Sequence, residues 1–245
     1  MTRGREALVL LPGFLCDQLV WQHQIDRLWD VADCTCAEYG LVDSLPAMAD
    51  SVLRTAPAQF SVAGHSMGGR IAWEIFRRAP ERVRRLAVFD TGTAKRSEGA
   101  SGEEEERGRR RLLAVARSDG MRAMAFEWIQ GMVAPRRLTD NALVESIASM
   151  FERKTPDVFE AQMNALLNRP DATELLGRIR CPTLVLTGRE DGWSTPAAHE
   201  QIASRIRGSK LVVVPESGHM STLEQPAAVS GAMREWLALP LPQRW

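Results

Sequence analysis

Phe60-Ser61-Val62-Ala63-Gly64-His65-Ser66-Met67-Gly68-Gly69-Arg70-Ile71-Ala72-Trp73 begins as a short apolar strand and ends as an amphipathic helix. Between the two lies Gly64-His65-Ser66-Met67-Gly68, a G-x-S-x-G sequence. In a strand–turn–helix setting this pattern makes a nucleophile elbow, a sharp turn that lifts the serine hydroxyl clear of the sheet. The flanking glycines suit such a turn because a side chain there would strike the neighbouring strand or helix. The helix that follows also points its first N–H groups at any negative charge forming above the serine.

Working outward, the rest of the chain alternates strand and helix. Ala7–Leu11 is a continuous apolar run, as expected of a strand buried on both faces. A helix over Leu19–Trp29, a strand over Cys34–Tyr39 and a helix over Ser44–Thr55, with Ser44 as its N-cap, precede the elbow. After it come the helix Met67–Ala79, stopped by Pro80, and a strand over Arg85–Thr91. The alternation resumes with a strand over Pro182–Gly188, a helix near Pro196–Ile206, a strand over Lys210–Pro215 and a helix over Pro226–Leu237. Such alternation predicts an α/β architecture, a mostly parallel sheet of about six strands with helices on both faces.

Residues 93–178 break this rhythm. They read as four successive helices, Glu103–Arg117, Gly120–Val133, Thr139–Phe151 and Pro156–Leu167, and are expected to form an all-helical cap inserted into a core made of residues 1–92 and 179–245. Glu103–Arg111 is a charge run with Glu103/Arg107, Glu105/Arg109 and Glu106/Arg110 at i,i+4 spacing, which predicts a solvated, self-paired face; the alternative is the hinge of a mobile lid.

Composition excludes several classes. Acidic and basic residues balance at 31 each, so no global field recruits nucleic acid or an anionic membrane. No apolar run approaches the roughly 20 residues of a membrane span. The N-terminal residues carry no signal-peptide pattern, and a soluble cytoplasmic protein is the expectation. Cys16, Cys34, Cys36 and Cys181 lack the spacing of a zinc site and read as reduced thiols; no metal and no cofactor are expected. The expected partner is a small-molecule substrate.

A serine hydroxyl needs a base to take its proton, and the base needs an orienting acid. Of the four histidines, His219 alone follows a buried strand in a loop at the carboxyl edge shared with Ser66; His23, His65 and His199 read as structural. The acid should follow a strand at the same edge. Asp191 leads, Glu190 beside it points the other way, and Asp90 at the end of an earlier strand is the alternative. For an oxyanion, the turn Pro12-Gly13-Phe14 after the first strand offers the N–H of Phe14 or of Leu15, and the residue after the nucleophile offers that of Met67.

Together, Leu11-Pro12-Gly13-Phe14, Gly64-His65-Ser66-Met67-Gly68-Gly69, Gly188-Arg189-Glu190-Asp191 and Ser217-Gly218-His219 resemble the α/β-hydrolase fold superfamily, in particular its small bacterial members with a helical cap. The resemblance covers nearly the whole chain. It implies a Ser66–Asp191–His219 triad and serine-hydrolase chemistry on a small-to-medium neutral carboxylic ester or lactone. The alternatives are a lyase or C–C bond hydrolase with the same triad, or a non-catalytic ligand receptor. Two departures stand out. The family's usual His-Gly is here Pro12-Gly13, removing a side chain that braces the oxyanion turn, and the family's antiparallel edge pair is expected to be missing. Trp128, Met132, Trp193 and Met220 are the expected substrate-binding residues, and no basic cluster suggests a phosphorylated or coenzyme A substrate.

Overall fold

A computed structural model describes residues 4–242. The apolar run after Glu6 forms β1 (Glu6–Leu11), and five further strands follow: β2 (Ala32–Cys36), β3 (Phe60–His65), β4 (Val83–Phe89), β5 (Thr183–Gly188) and β6 (Lys210–Val214). They make one sheet in the order β2-β1-β3-β4-β5-β6, every pair parallel. Burial follows position. β3 and β5 are buried at every residue, whereas the edge strand β2 alternates buried or half-buried with exposed positions. This is the expected contrast between a strand covered on both faces and one at the rim.

The strand order decides where a site can form. The chain runs from β1 outward to β2, then returns past β1 to β3 and continues in the opposite direction. Connections leaving β1 and β3 therefore diverge, and a crevice opens above their carboxyl ends. Leu11 sits beside Gly64 in that register, which brings the turn after β1 against the elbow after β3.

The helices are α1 (Gln22–Leu28), α2 (Leu45–Thr55) and α3 (Met67–Arg78) in the first half. Between β4 and β5 come α4 (Ala100–Ser118), α5 (Met121–Ile129), α6 (Asn141–Glu152) and α7 (Pro156–Leu167). The chain closes with α8 (Pro196–Arg205), the short α9 (Ser221–Glu224) and α10 (Pro226–Ala238). α2 packs beside α3 and α1 beside α10. Trp21, Trp73 and Trp236 are among the largest fully buried side chains, each stabilising the fold by about 1.5–3 kcal/mol or more. No described helix is long and apolar enough to cross a membrane.

Where element boundaries differ from expectation, local bonds explain it. The first helix breaks in two because Asp17 accepts from the N–H of Leu19 and caps a separate 3-10 turn, Gln18–Trp21. The strand expected to run to Thr91 stops at Phe89, and Asp90 turns into a positive-φ conformation (φ 48°). The helix expected over 120–133 ends at Ile129, since Met132–Ala134 is diverted into bonds with the loop around His219.

The elbow is held by crowding. A Cβ on Gly68 would lie 2.0 Å from the carbonyl oxygen of Leu11, and one on Gly64 would lie 2.2 Å from that of Gly68. Both contacts are with backbone, which cannot rotate away. Gly68→Ala is expected to cost at least about 2 kcal/mol, lowering Tm by roughly 4–8 °C in a chain of this length; an unchanged Tm by circular dichroism contradicts the packing described.

Candidate active site at the carboxyl edge of the sheet

Ser66 occupies the turn between β3 and α3 with φ 54° and ψ −114°, a backbone conformation that side-chain-bearing residues rarely adopt. Its surroundings impose it. The Ser66 N–H donates to Phe89 O (2.8 Å), and Thr91 Oγ1 donates to Ser66 O (2.7 Å). The hydroxyl consequently faces a cavity of about 500 Å³ above the sheet.

Two further loops reach the same point. Ser66 Oγ lies 2.8 Å from His219 Nε2, and His219 Nδ1 lies 2.8 Å from Asp191 Oδ2. Asp191 Oδ1 accepts the N–H groups of Trp193 and Ser194, each at 2.8 Å, which fixes the carboxylate plane. Accepting from Nδ1–H leaves Nε2 of a neutral His219 as the acceptor for the hydroxyl proton. Burial alone would lower the His219 pKa, but the attraction of Asp191 outweighs it and holds the imidazole above its ordinary value. Burial likewise opposes ionisation of Asp191, yet His219 and the two backbone donors keep it below the usual carboxylate range.

Asp90, the alternative acid, does other work. Its Oδ1 accepts from Gly188 N (2.9 Å), and its Oδ2 accepts from Ser221 Oγ (2.5 Å) and Ser221 N (3.2 Å). It ties the ends of β4 and β5 to α9 and makes no hydrogen bond to His219. Complete burial, followed by the charge of Asp191, pushes its carboxyl well above the usual range. The remaining histidines make structural contacts, and only His65 keeps a buried ring nitrogen, Nδ1, with no hydrogen-bond partner among the described residues. His23 meets Ser230, and His199 accepts from Thr91 N while donating to Thr195 O. His65 is buried and donates from Nε2 to His219 O (2.8 Å), with burial pushing its pKa down to about 3.

Several supporting residues escape a reading of the sequence. Glu224 Oε1 accepts from Gly218 N (2.9 Å) and Met220 N (3.1 Å), one on each side of His219, and its Oε2 accepts from Ala134 N (2.8 Å). His219 N donates in turn to Met132 O (2.8 Å). The histidine loop is therefore stitched to the segment after α5. On the opposite side, Leu15 N donates to Gln162 Oε1 of α7 (2.7 Å), and Tyr39 Oη donates to Pro12 O (3.3 Å). These bonds brace the turn Pro12–Leu15. They also commit the N–H of Leu15, so Phe14 is the donor this turn can offer beside Met67.

The four expected substrate-binding residues, Trp128, Met132, Trp193 and Met220, all line the cavity, as does Phe14. Trp128 stacks on Trp193 (centroids 5.6 Å apart), meets Phe14 edge to face (5.1 Å), and Trp193 closes on His219 (5.0 Å). One wall is therefore aromatic. The other corrects an expectation: Arg70, Arg109, Arg111 and Arg169 line the cavity against Glu104 and Glu105. The i,i+4 pairs of the charge run do form, but the Glu105/Arg109 pair turns inward. Arg70 and Arg169 were far from that run in sequence, which hid the cluster. Spacing held one clue, since Arg70 falls one helical turn after Ser66.

Comparison with known proteins places the chain. The model of the alpha/beta hydrolase family matches residues 8–232. A pimeloyl-[acyl-carrier protein] methyl ester esterase of Nitrosomonas europaea is 24% identical over 233 residues, covering 89% of this chain and 90% of that protein. An (E)-2-((N-methylformamido)methylene)succinate hydrolase of Acinetobacter baylyi is 27% identical over 255 residues, covering 95% and 90%. Among solved structures, a thermophilic esterase of Thermogutta terrifontis, determined with malate bound, superposes with a TM-score of 0.82 at 29% identity, covering 96% of this chain and 89% of that one.

The Glu224 brace can be tested directly. Glu224→Gln keeps the shape but turns an amide NH₂ toward a backbone N–H. The expected result is a loss of about 1–3 kcal/mol in stability and a fall in kcat of roughly 10- to 100-fold from a displaced His219, with KM little changed. Steady-state kinetics with parallel denaturant titrations check this, and an unaltered kcat contradicts it.

Proposed function

This chain belongs to the alpha/beta hydrolase family, and from that membership we propose that it cleaves carboxylic esters or lactones through an acyl-enzyme on Ser66. The observation that carries the reading is the unbroken 2.8 Å chain from Ser66 Oγ through His219 to Asp191. The esterase activities named for the Nitrosomonas and Thermogutta relatives support the same class.

In this reading Ser66 Oγ attacks the carbonyl carbon while its proton passes to His219 Nε2. Asp191 holds the Nδ1–H tautomer and stabilises the imidazolium that forms. The oxyanion accepts from the N–H groups of Phe14 and Met67, donors fixed before the charge appears. His219 then gives its proton to the departing alkoxide. Water enters, loses a proton to the same nitrogen and releases the acid. No metal or cofactor takes part in these steps, and the substrate is a small molecule. Residues 93–178 act as a cap: Trp128 completes the aromatic wall with Phe14 and Trp193 of the core, and the cap's bonds to the loops of Leu15 and His219 keep donors and base in register.

Expected outcomes follow from each role. Ser66→Ala lowers kcat on short-chain p-nitrophenyl esters by about 10⁴-fold or more while the circular dichroism spectrum is unchanged; full retention of hydrolysis ends the proposal. The pH profile has a stated sign. Hydrolysis needs neutral His219, whose pKa is held above its ordinary value near 6.5, so kcat/KM should rise with pH through an apparent pKa above that value. Asp191→Asn removes the attraction and leaves burial, so the residual rate should be reduced by roughly 10⁴-fold and its midpoint moved to lower pH. A midpoint moving upward contradicts the assignment of the acid.

A further inference from the structure

Three guanidinium groups from distant parts of the chain converge on the cavity wall beside Ser66: Arg70 of α3, Arg109 of α4, and Arg169 just after α7. One carboxylate, Glu105, serves two of them. Arg169 grips it with two parallel bonds, Nη1 to Oε1 at 2.7 Å and Nη2 to Oε2 at 2.8 Å, and Arg109 approaches Oε1 through Nη2 at 3.1 Å. Arg70 has no carboxylate partner among the described residues; its Nη1 donates to the carbonyl of Ala94 at 2.9 Å. The cluster therefore presents more positive than negative charge to a cavity with low-dielectric walls.

The geometry keeps these cations directed inward. Arg70 follows Ser66 by one helical turn, which places it on the same face of α3. Gly92 leaves it room, because a Cβ there would stand 2.9 Å from Arg70 Nη2. Arg109 lies over the ring of Phe14 at 5.7 Å, next to the turn that faces the oxyanion. Burial and the neighbouring charge of Arg169 lower the Arg70 pKa to about 9, so it remains a cation at neutral pH in surroundings that disfavour one. A partly buried cation without a counter-charge is costly unless an anion joins it.

We propose that Arg70, with Arg109 and Arg169 beside it, is an anion-binding subsite, and that the substrate cleaved at Ser66 carries a carboxylate remote from its scissile bond. This rests on the hydrolase reading of the site and narrows it from neutral esters to carboxylate-bearing ones. The cavity has two characters that such a molecule matches. Trp128, Trp193 and Phe14 receive an apolar chain, while the arginines on the other wall receive its charged end. A guanidinium fork suits the two oxygens of a carboxylate. Its hold on the far end of the substrate fixes the carbonyl over Ser66.

Two measurements test this separately from the hydrolase assignment. The first uses Ser66→Ala protein and isothermal titration with the monomethyl esters of succinic, glutaric, adipic and pimelic acids, each beside its dimethyl ester. At least one monoester should bind about tenfold more tightly than its neutral twin, and the preference should shrink as sodium chloride is raised. The second compares kcat/KM of the native enzyme on the same pairs and on acyloxy acids, which place the carboxylate on the alcohol side. Arg70→Gln should reduce the charged-over-neutral preference by about tenfold, and Arg70→Lys should restore part of it; a residue that only fastened Ala94 would affect both esters alike. Monoester binding without any turnover would leave the subsite standing and remove the hydrolase reading. Turnover of neutral esters, with equal binding of both members of every pair by Ser66→Ala, would overturn the subsite and leave the hydrolase reading intact.

Discussion

The site depends on how closely the first turn of α3 approaches the end of β1. Gly68 stands against the carbonyl of Leu11 and Gly64 against that of Gly68, at distances no Cβ could occupy. That contact forces the chain to reverse at Ser66 in a positive-φ conformation, which backbone sterics alone would resist. Because the reversal is tight, the hydroxyl projects above the sheet. It meets His219 at 2.8 Å, in a cavity that Phe14 and Met67 also line. Loosening the contact would relax the strain and lose all three relations together.

Around this point the protein manages three buried carboxyl groups in three ways. Asp191 is ionised because His219 and two backbone donors favour its charge more than burial opposes it. Asp90 is as deeply buried, faces neutral donors and the charge of Asp191, and has its pKa raised. Glu224 is raised by burial against three backbone N–H donors that favour its charge. The acid beside the base is thus the one with a partner that can become a cation, which is the partner acyl transfer needs. The other two fasten loops.

How much of this was legible in the sequence follows from distance along the chain. The elbow, the loop at Asp191 and the loop at His219 are local patterns, each a strand end followed by turn residues, and a linear reading finds them. The parallel sheet follows from the alternation of apolar runs and helices, whereas its strand order, and with it the crevice between β1 and β3, came from the structure. Residues acting across long separations stayed hidden. Gln162 meets Leu15 from 147 positions away, and Glu224 meets Ala134 from 90; neither sits in a pattern that marks it. The arginine cluster was concealed for the same reason, and because Arg109 lies in a charge run whose i,i+4 pairing reads as a solvated face. Those pairs formed, but α4 turns one of them toward the cavity, a matter of tertiary packing that spacing does not encode.

The central claim is that the surroundings of Ser66 make its hydroxyl a nucleophile. Intact mass after incubation with an alkyl fluorophosphonate, on native and Ser66→Ala protein side by side, tests this without a known substrate. A single phosphonyl adduct on the native chain and none on the variant is the predicted result. A folded native protein that takes up no adduct, or a variant labelled to the same extent, contradicts it.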